Sequence, residues 1–217
     1  SAARDAKNSA PFFDVAEQAL GVRPELLSGE EEARLSFRGA TSGIPRDSGP
    51  FLIFDIGGGS TELVVGQDQP EALVSLQLGC VRMTERHLKS DPPAAAEVDA
   101  CLSDVRGRLA GVGERLGVAR ARLCIGLAGT VTALSAMQLG LKQYDAARTH
   151  HSRLTRPQVE VLFEQLRHAS VAERRDLLAE PQRADVIVGG AAVLVTLMRE
   201  LRIEELRVSE HDILDGL

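Results

Sequence analysis

The stretch FLIFDIGGGSTELVVG, from Phe51 to Gly66, constrains the fold more than any other part of the chain. Two apolar runs rich in β-branched and aromatic residues flank three consecutive glycines and a Ser-Thr pair, which predicts two buried strands joined by a tight turn. Asp55 stands just before the turn and Glu62 just after it. A lone carboxylate set between Phe54 and Ile56 is costly to bury unless something compensates it. The tip of this hairpin is therefore expected to carry chemistry, the plainer alternative being a structural hairpin with solvated acids at its end.

Glycines let backbone N–H groups approach an anion with no Cβ in the way, which suggests phosphate. Two familiar nucleotide motifs nevertheless fail. The dinucleotide fingerprint needs a third glycine where Glu62 stands and a helix after it, whereas TELVVG reads as a strand. The nucleoside-triphosphate loop ends in Gly-Lys-Ser/Thr, and no lysine is present here. What remains is a turn, Gly57, Gly58, Gly59, Ser60 and Thr61, offering amides and hydroxyls to a phosphate. Beneath it Asp55 and Glu62 supply hard oxygens suited to Mg²⁺ (or Mn²⁺), which takes one or two protein carboxylates and keeps several waters. A second glycine turn, Gly126 to Gly129, precedes a helix expected to begin near Thr130, and amides at a helix N-terminus favour an anion.

The surrounding pattern is α/β. Phe12, Phe13, Ala16, Ala19 and Leu20 recur at helical spacing before Gly21, and VRPELL reads as a short strand. Ser28 and Glu31 have capping-box spacing, so a helix is predicted from Gly29 to Arg38 with Gly39 at its end. EALVSLQLG continues the sheet, CVRMTERHL is helical, and 94–116 is one long amphipathic segment. ARLCIGLAG is a further buried strand. Helices follow in TVTALSAMQLG, QVEVLFEQLRHA, VAERRDLLA and ADVIVGGAAVLVTLMREL, and LRVSEHDILDGL closes with a strand and turn.

A formal net charge of −6 provides no diffuse attraction for nucleic acid or an anionic membrane, so neither is an expected partner and any phosphate-rich ligand needs a local pocket. Cys80, Cys101 and Cys124 are widely spaced and read as idle thiols of a reducing compartment. No apolar run reaches the roughly 20 residues of a membrane span, and a soluble, cytoplasmic protein is expected. SAARDAKN starts abruptly, which suggests a piece of a longer protein.

Taken together, Asp55-Ile56-Gly57-Gly58-Gly59-Ser60-Thr61-Glu62 and Ser28-Gly29-Glu30-Glu31-Glu32-Ala33-Arg34 resemble the exopolyphosphatase/guanosine pentaphosphate phosphohydrolase (Ppx/GppA) family. The resemblance continues through Ala2–Ala6, Leu78–Glu85, Gly126–Thr130 and Arg183–Ile187, and Val208–Gly216 resembles a short form without extra helical domains. It implies an actin/Hsp70-like (ribonuclease H-like) α/β superfold, residues 1–38 closing a first domain and 39–217 forming the second. It also implies a general base at Glu32, metal ligands at Asp55 and Glu62, and a cationic partner of the phosphoryl group at Arg4. Phosphate would be cradled by Gly57, Gly58, Gly59, Ser60 and Thr61, with Gly129 and Thr130 at the other end of the cleft.

The implied activity is release of terminal phosphate from inorganic polyphosphate, by a chain that would be inactive alone. The alternative substrate is guanosine pentaphosphate, with (p)ppGpp as a possible partner. A superfold kinase or a non-catalytic sensor is the reading from another class. The resemblance implies a possible homodimer, and the apolar stretch Ile187–Met198 reads either as support for it or, more commonly for such a helix, as plain core. Two departures stand out: the family's opening Asp-x-Gly-Ser-Asn loop is absent, and His150-His151 replaces a His followed by Gly. These histidines are expected at a surface or sheet edge, pointing to opposite faces.

Overall fold

The computed structural model of the chain describes residues 9–216. Its strands are β1 (Phe51–Ile56), β2 (Thr61–Gly66), β3 (Pro70–Leu76), β4 (Leu123–Leu127), β5 (Arg153–Thr155) and β6 (Glu205–Val208). They form one sheet in the order β3-β2-β1-β4-β6-β5. β1, β4 and β6 run parallel, while β2, β3 and β5 are antiparallel to their neighbours. Its helices are α1 (Ser9–Leu20), α2 (Gly29–Thr41), α3 (Cys80–His87), α4 (Ala95–Leu109), α5 (Val112–Leu116), α6 (Ala128–Gln138), α7 (Ala146–Thr149), α8 (Arg156–His168), α9 (Val171–Leu177) and α10 (Ile187–Glu200).

A parallel sheet core needs cover on both faces, and the two sides are covered unequally. Leu52, Phe54 and Ile56 of β1 with Leu63 and Val65 of β2 pack into the larger cluster, which includes α4, α6, α8 and α10. Phe51, Ile53 and Val64 point the other way, beneath Ala33, Phe37 and Ala40 of α2. α10 is buried along its whole length from Ile187 to Met198, packed by α3, α4, α6 and α8. Its apolar surface is core, so the expected homodimer finds no support in it.

Several expectations need correcting. VRPELL is not a strand. Pro24 has no N–H to give a ladder, and Val22 (63% exposed) and Leu26 (48%) bury little. α2 runs on to Thr41 because Gly39 is not a stop: a Cβ there would lie 2.9 Å from the Asp212 carbonyl carbon, so the glycine serves close packing on the C-terminal turn. Residue 38, the expected domain boundary, thus falls within α2. The segment 94–116 breaks between α4 and α5 at Gly111, whose φ of 71° is left-handed.

Candidate functional site

Side chains alternate across a strand, so Asp55 shares the α2 face with Phe51 and Ile53, and Glu62 shares it with Val64. Register then sets them side by side, since Asp55 pairs with Glu62 across β1 and β2 and Glu62 pairs with Ser75 across β2 and β3. Glu62 is 6% exposed, and its Oε1 accepts from Ser60 Oγ at 2.8 Å and Ser75 Oγ at 2.7 Å.

Above them, α2 is started by the capping box expected from its sequence: Glu31 N–H donates to Ser28 Oγ at 3.2 Å and Ser28 N–H to Glu31 Oε2 at 2.7 Å. With the helix so phased, Glu32 and Ser36, four residues apart, share the face that looks down on the two acids. Ser36 Oγ donates to Asp55 Oδ2 at 3.4 Å.

Two neighbouring carboxylates with little water cannot both stay charged at low cost. Burial, and then the charge of Glu62, push Asp55 up to about 7 against the opposing hydrogen bond from Ser36, with Asp212 and Glu32 adding to the push. Such a pair suits a hard divalent cation, whose charge would offset both acids and which needs no more than two protein carboxylates. Among the described residues no group of three or more His, Cys, Asp or Glu is gathered to hold a metal. Two hard carboxylate donors fit a divalent cation such as Mg²⁺, whose remaining positions go to water or phosphate.

The turn between the strands is oriented by α3. Cys80 N–H donates to the Gly57 carbonyl at 3.0 Å, Val81 and Arg82 N–H to that of Gly58 at 3.0 and 3.1 Å, and Arg82 Nε to that of Gly59 at 2.6 Å. In a trans peptide the next N–H points opposite to the carbonyl. Occupying these three carbonyls on the helix side turns the N–H groups of Gly58, Gly59 and Ser60 away from it, as an anion-binding nest requires. The contact needs Gly79, where a Cβ would lie 2.6 Å from Gly59 N.

Glu32, Asp55, Glu62, Arg82 and the turn from Gly57 to Ser60 line one cavity of about 510 Å³. Acids, a nest of amides and a basic side chain in one concavity can bind a phosphate chain and orient a water against it. The sequence profile of the Ppx/GppA phosphatase family matches residues 1–217. The chain belongs to this family.

It is 44% identical over 227 aligned positions to exopolyphosphatase 2 of Mycobacterium tuberculosis, covering 100% of this chain and 71% of that protein. It is 33% identical over 217 positions to the guanosine-5'-triphosphate,3'-diphosphate pyrophosphatase of Vibrio vulnificus, covering 99% of this chain and 42% of that one. The crystal structure of an exopolyphosphatase-like protein superposes with a TM-score of 0.94 at 39% identity, covering 100% of this chain and 73% of that one. The actin-like α/β fold class expected from the motifs holds for this Ppx/GppA member.

Not every residue that the family resemblance singled out reaches this cavity. Thr61 belongs to the opposite face: it is fully buried and its hydroxyl donates to the Leu78 carbonyl at 2.8 Å, so it braces the turn from behind. The turn expected at Gly126–Gly129 does not form, because β4 runs to Leu127 and passes directly into α6 through Ala128, at a left-handed φ of 66°. Gly129 lines a separate cavity of about 220 Å³ with Tyr144, Glu180, Arg183, Glu210 and Asp212. Thr130 is buried. A Cβ on Gly190 would lie 2.8 Å from its Cγ2. Arg4 lies outside the described residues.

His150 and His151 do not sit on a strand, and they do not point to opposite faces. They stack with ring centroids 3.8 Å apart, and His211 lies 4.5 Å from His150. Residues missed in the sequence are Ser36, Ser75 and Arg82. Ser36, one helical turn after Glu32, carried a local signal that could have found it, and Arg82 stands within the Leu78–Glu85 stretch that resembles the family.

Proposed function

We propose that this chain is the catalytic-site portion of an exopolyphosphatase, which hydrolyses the terminal phosphoanhydride bond of inorganic polyphosphate. The observation that carries this reading is the gathering of Glu32, Asp55 and Glu62 around one cavity at the amide-presenting turn. Glu32 takes a proton from the attacking water as general base. The N–H groups of Gly58, Gly59 and Ser60 bind the terminal phosphate and stabilise charge on its oxygens, and the Ser60 hydroxyl holds Glu62 in place. Asp55 and Glu62 would hold Mg²⁺ or Mn²⁺, which supplies positive charge to the phosphoryl oxygens. Arg4 would add a further cation, and Gly129 and Thr130 would border the far end of the cleft.

The similarity to the Vibrio pyrophosphatase favours guanosine pentaphosphate as the second substrate reading. We also propose that residues up to about 38 belong with a first domain, that the protein works in the cytoplasm, and that a first-domain phosphate loop completes the site. No helix among the described residues is long and apolar enough to cross a membrane.

The deciding experiment is phosphate release from a short linear polyphosphate with Mg²⁺, by this chain and by the chain extended with the first-domain residues of its relatives. Turnover by the extended protein, lost on Glu32→Gln, is the expected result. An extended protein that binds polyphosphate without turning it over would make the site a sensor, and one preferring guanosine pentaphosphate would exchange the two substrate readings.

A further inference from the structure

β3 does not keep one register along β2. Gly66 pairs with Pro70, and that register carried onward would set Val74 opposite Glu62. A shift between Val65 and Gly66 adds one residue to β3, so that Val65 pairs with Ala72 and Glu62 pairs with Ser75. Because side chains alternate, this single extra residue exchanges the faces of everything beyond it. Ala72, Val74 and Leu76 turn into the larger core, while Leu73 packs beneath α2 on the side of Asp55 and Glu62. Ser75, two residues after Leu73, shares that side. The chain entering the shift is tightly folded at Gly66, where a Cβ would lie 2.9 Å from the Gln69 carbonyl carbon.

The position so filled faces a buried acid. Ser75 Oγ donates to Glu62 Oε1 at 2.7 Å, and Ser60 Oγ donates to the same oxygen at 2.8 Å. Valine in its place would take a donor from a carboxylate that is 6% exposed, where its charge is costly. Hydroxyl donors favour the charged form, which is the form that binds a cation. Two of them converging on one oxygen, from the turn and from the neighbouring strand, also fix how the carboxylate is aimed. Ser60 ties Glu62 to the turn, and Ser75 ties it to the sheet.

We propose that Ser75 is a positioning residue of the metal site: brought opposite Glu62 by the register shift in β3, it acts through that carboxylate to set the affinity for the divalent cation. The assignment rests on the reading of Asp55 and Glu62 as metal ligands, and not on the identity of the polyanion or on hydrolysis. It gives the irregularity of an edge strand a role in the site.

The test measures Mn²⁺ binding to the extended protein in the absence of any phosphate compound, from the loss of the free-ion electron paramagnetic resonance signal, so that no turnover enters the readout. The parent is compared with Ser75→Ala, with Ser75→Thr, which keeps the hydroxyl, and with Ser75→Val, which matches threonine in size and lacks it. Loss of an outer partner of a metal ligand predicts a dissociation constant about ten- to hundredfold higher for Ser75→Ala and Ser75→Val. Ser75→Thr should bind more tightly than Ser75→Val. Parental affinity in Ser75→Ala would overturn the assignment, and so would equal affinities in the threonine and valine variants, since the hydroxyl is what separates them. Should Ser75→Ala not fold, the threonine and valine comparison decides. Asp55→Asn tests the underlying reading separately: a parent that binds no Mn²⁺, or binds it as well after Asp55→Asn, would sink the metal pair and the role of Ser75 with it. Binding lost in Asp55→Asn but unchanged in Ser75→Ala would leave the pair standing and remove Ser75 alone.

Discussion

Asp55 and Glu62 are register partners on adjacent antiparallel strands, and the acid held by two serine hydroxyls, Glu62, helps to raise the other. The pair is asymmetric: Glu62 accepts from Ser60 and Ser75, while burial raises Asp55.

This asymmetry fixes a pH dependence. Asp55 is raised from 3.8 to about 7 on folding. Below the unfolded value its carboxyl is neutral in both states and costs nothing. As pH rises from about 4 to about 7 the unfolded chain ionises first, so the folded state loses stability, and above that the loss is complete. In chelator, Asp55→Asn should melt near the parent at pH 4 and several degrees above it at pH 8. A variant less stable than the parent at pH 8 would contradict this account.

Glu32 is assigned to the water, so Glu32→Gln should lower kcat by about 10² to 10⁴-fold while polyphosphate still binds. Single-turnover phosphate release paired with a binding titration measures both. Retained turnover would remove Glu32 from the chemistry.

Gly79 meets the turn backbone with no room for a methyl group. Its φ of −163° is open to any residue, so a substitution acts through overlap alone. Gly79→Ala should cost about 1–3 kcal/mol in urea unfolding and weaken phosphate binding, because the turn must shift to admit the methyl. Full stability with full binding would show that the turn has more room than the contact distances allow.

Arg174 is 3% exposed and donates to the carbonyls of Leu166 (3.1 Å), Ala169 (2.9 Å) and Ala184 (2.8 Å) and to Asp91 (3.1 Å). Truncation leaves several buried acceptors unpaired, so Arg174→Ala should lose about 3–5 kcal/mol. Denaturant titration reads the loss, and the fraction still folded should keep the parent KM.

Local signals made part of this site legible. The capping box phased α2 and so aimed Glu32, and alternation in Phe51–Ile56 already placed Asp55 on a defined face. Ser75 was invisible because it reaches Glu62 only through the register of β2 and β3, which no local pattern states. The contact that Arg82 makes was hidden for a related reason, since it reaches a backbone carbonyl 23 residues away. VRPELL misled because apolar content mimics a strand wherever no partner edge has to be specified, and His150-His151 because a strand was assumed where the chain turns.

The backbone contact at Gly79 has a mechanical consequence. With Gly58 and Gly59 seated on the start of α3 and no side chain between them to act as a cushion, the phosphate turn cannot flex as an independent flap. Any closure over a ligand has to carry the hairpin, the helix and the sheet beneath them as one rigid jaw, with its hinge elsewhere in the chain.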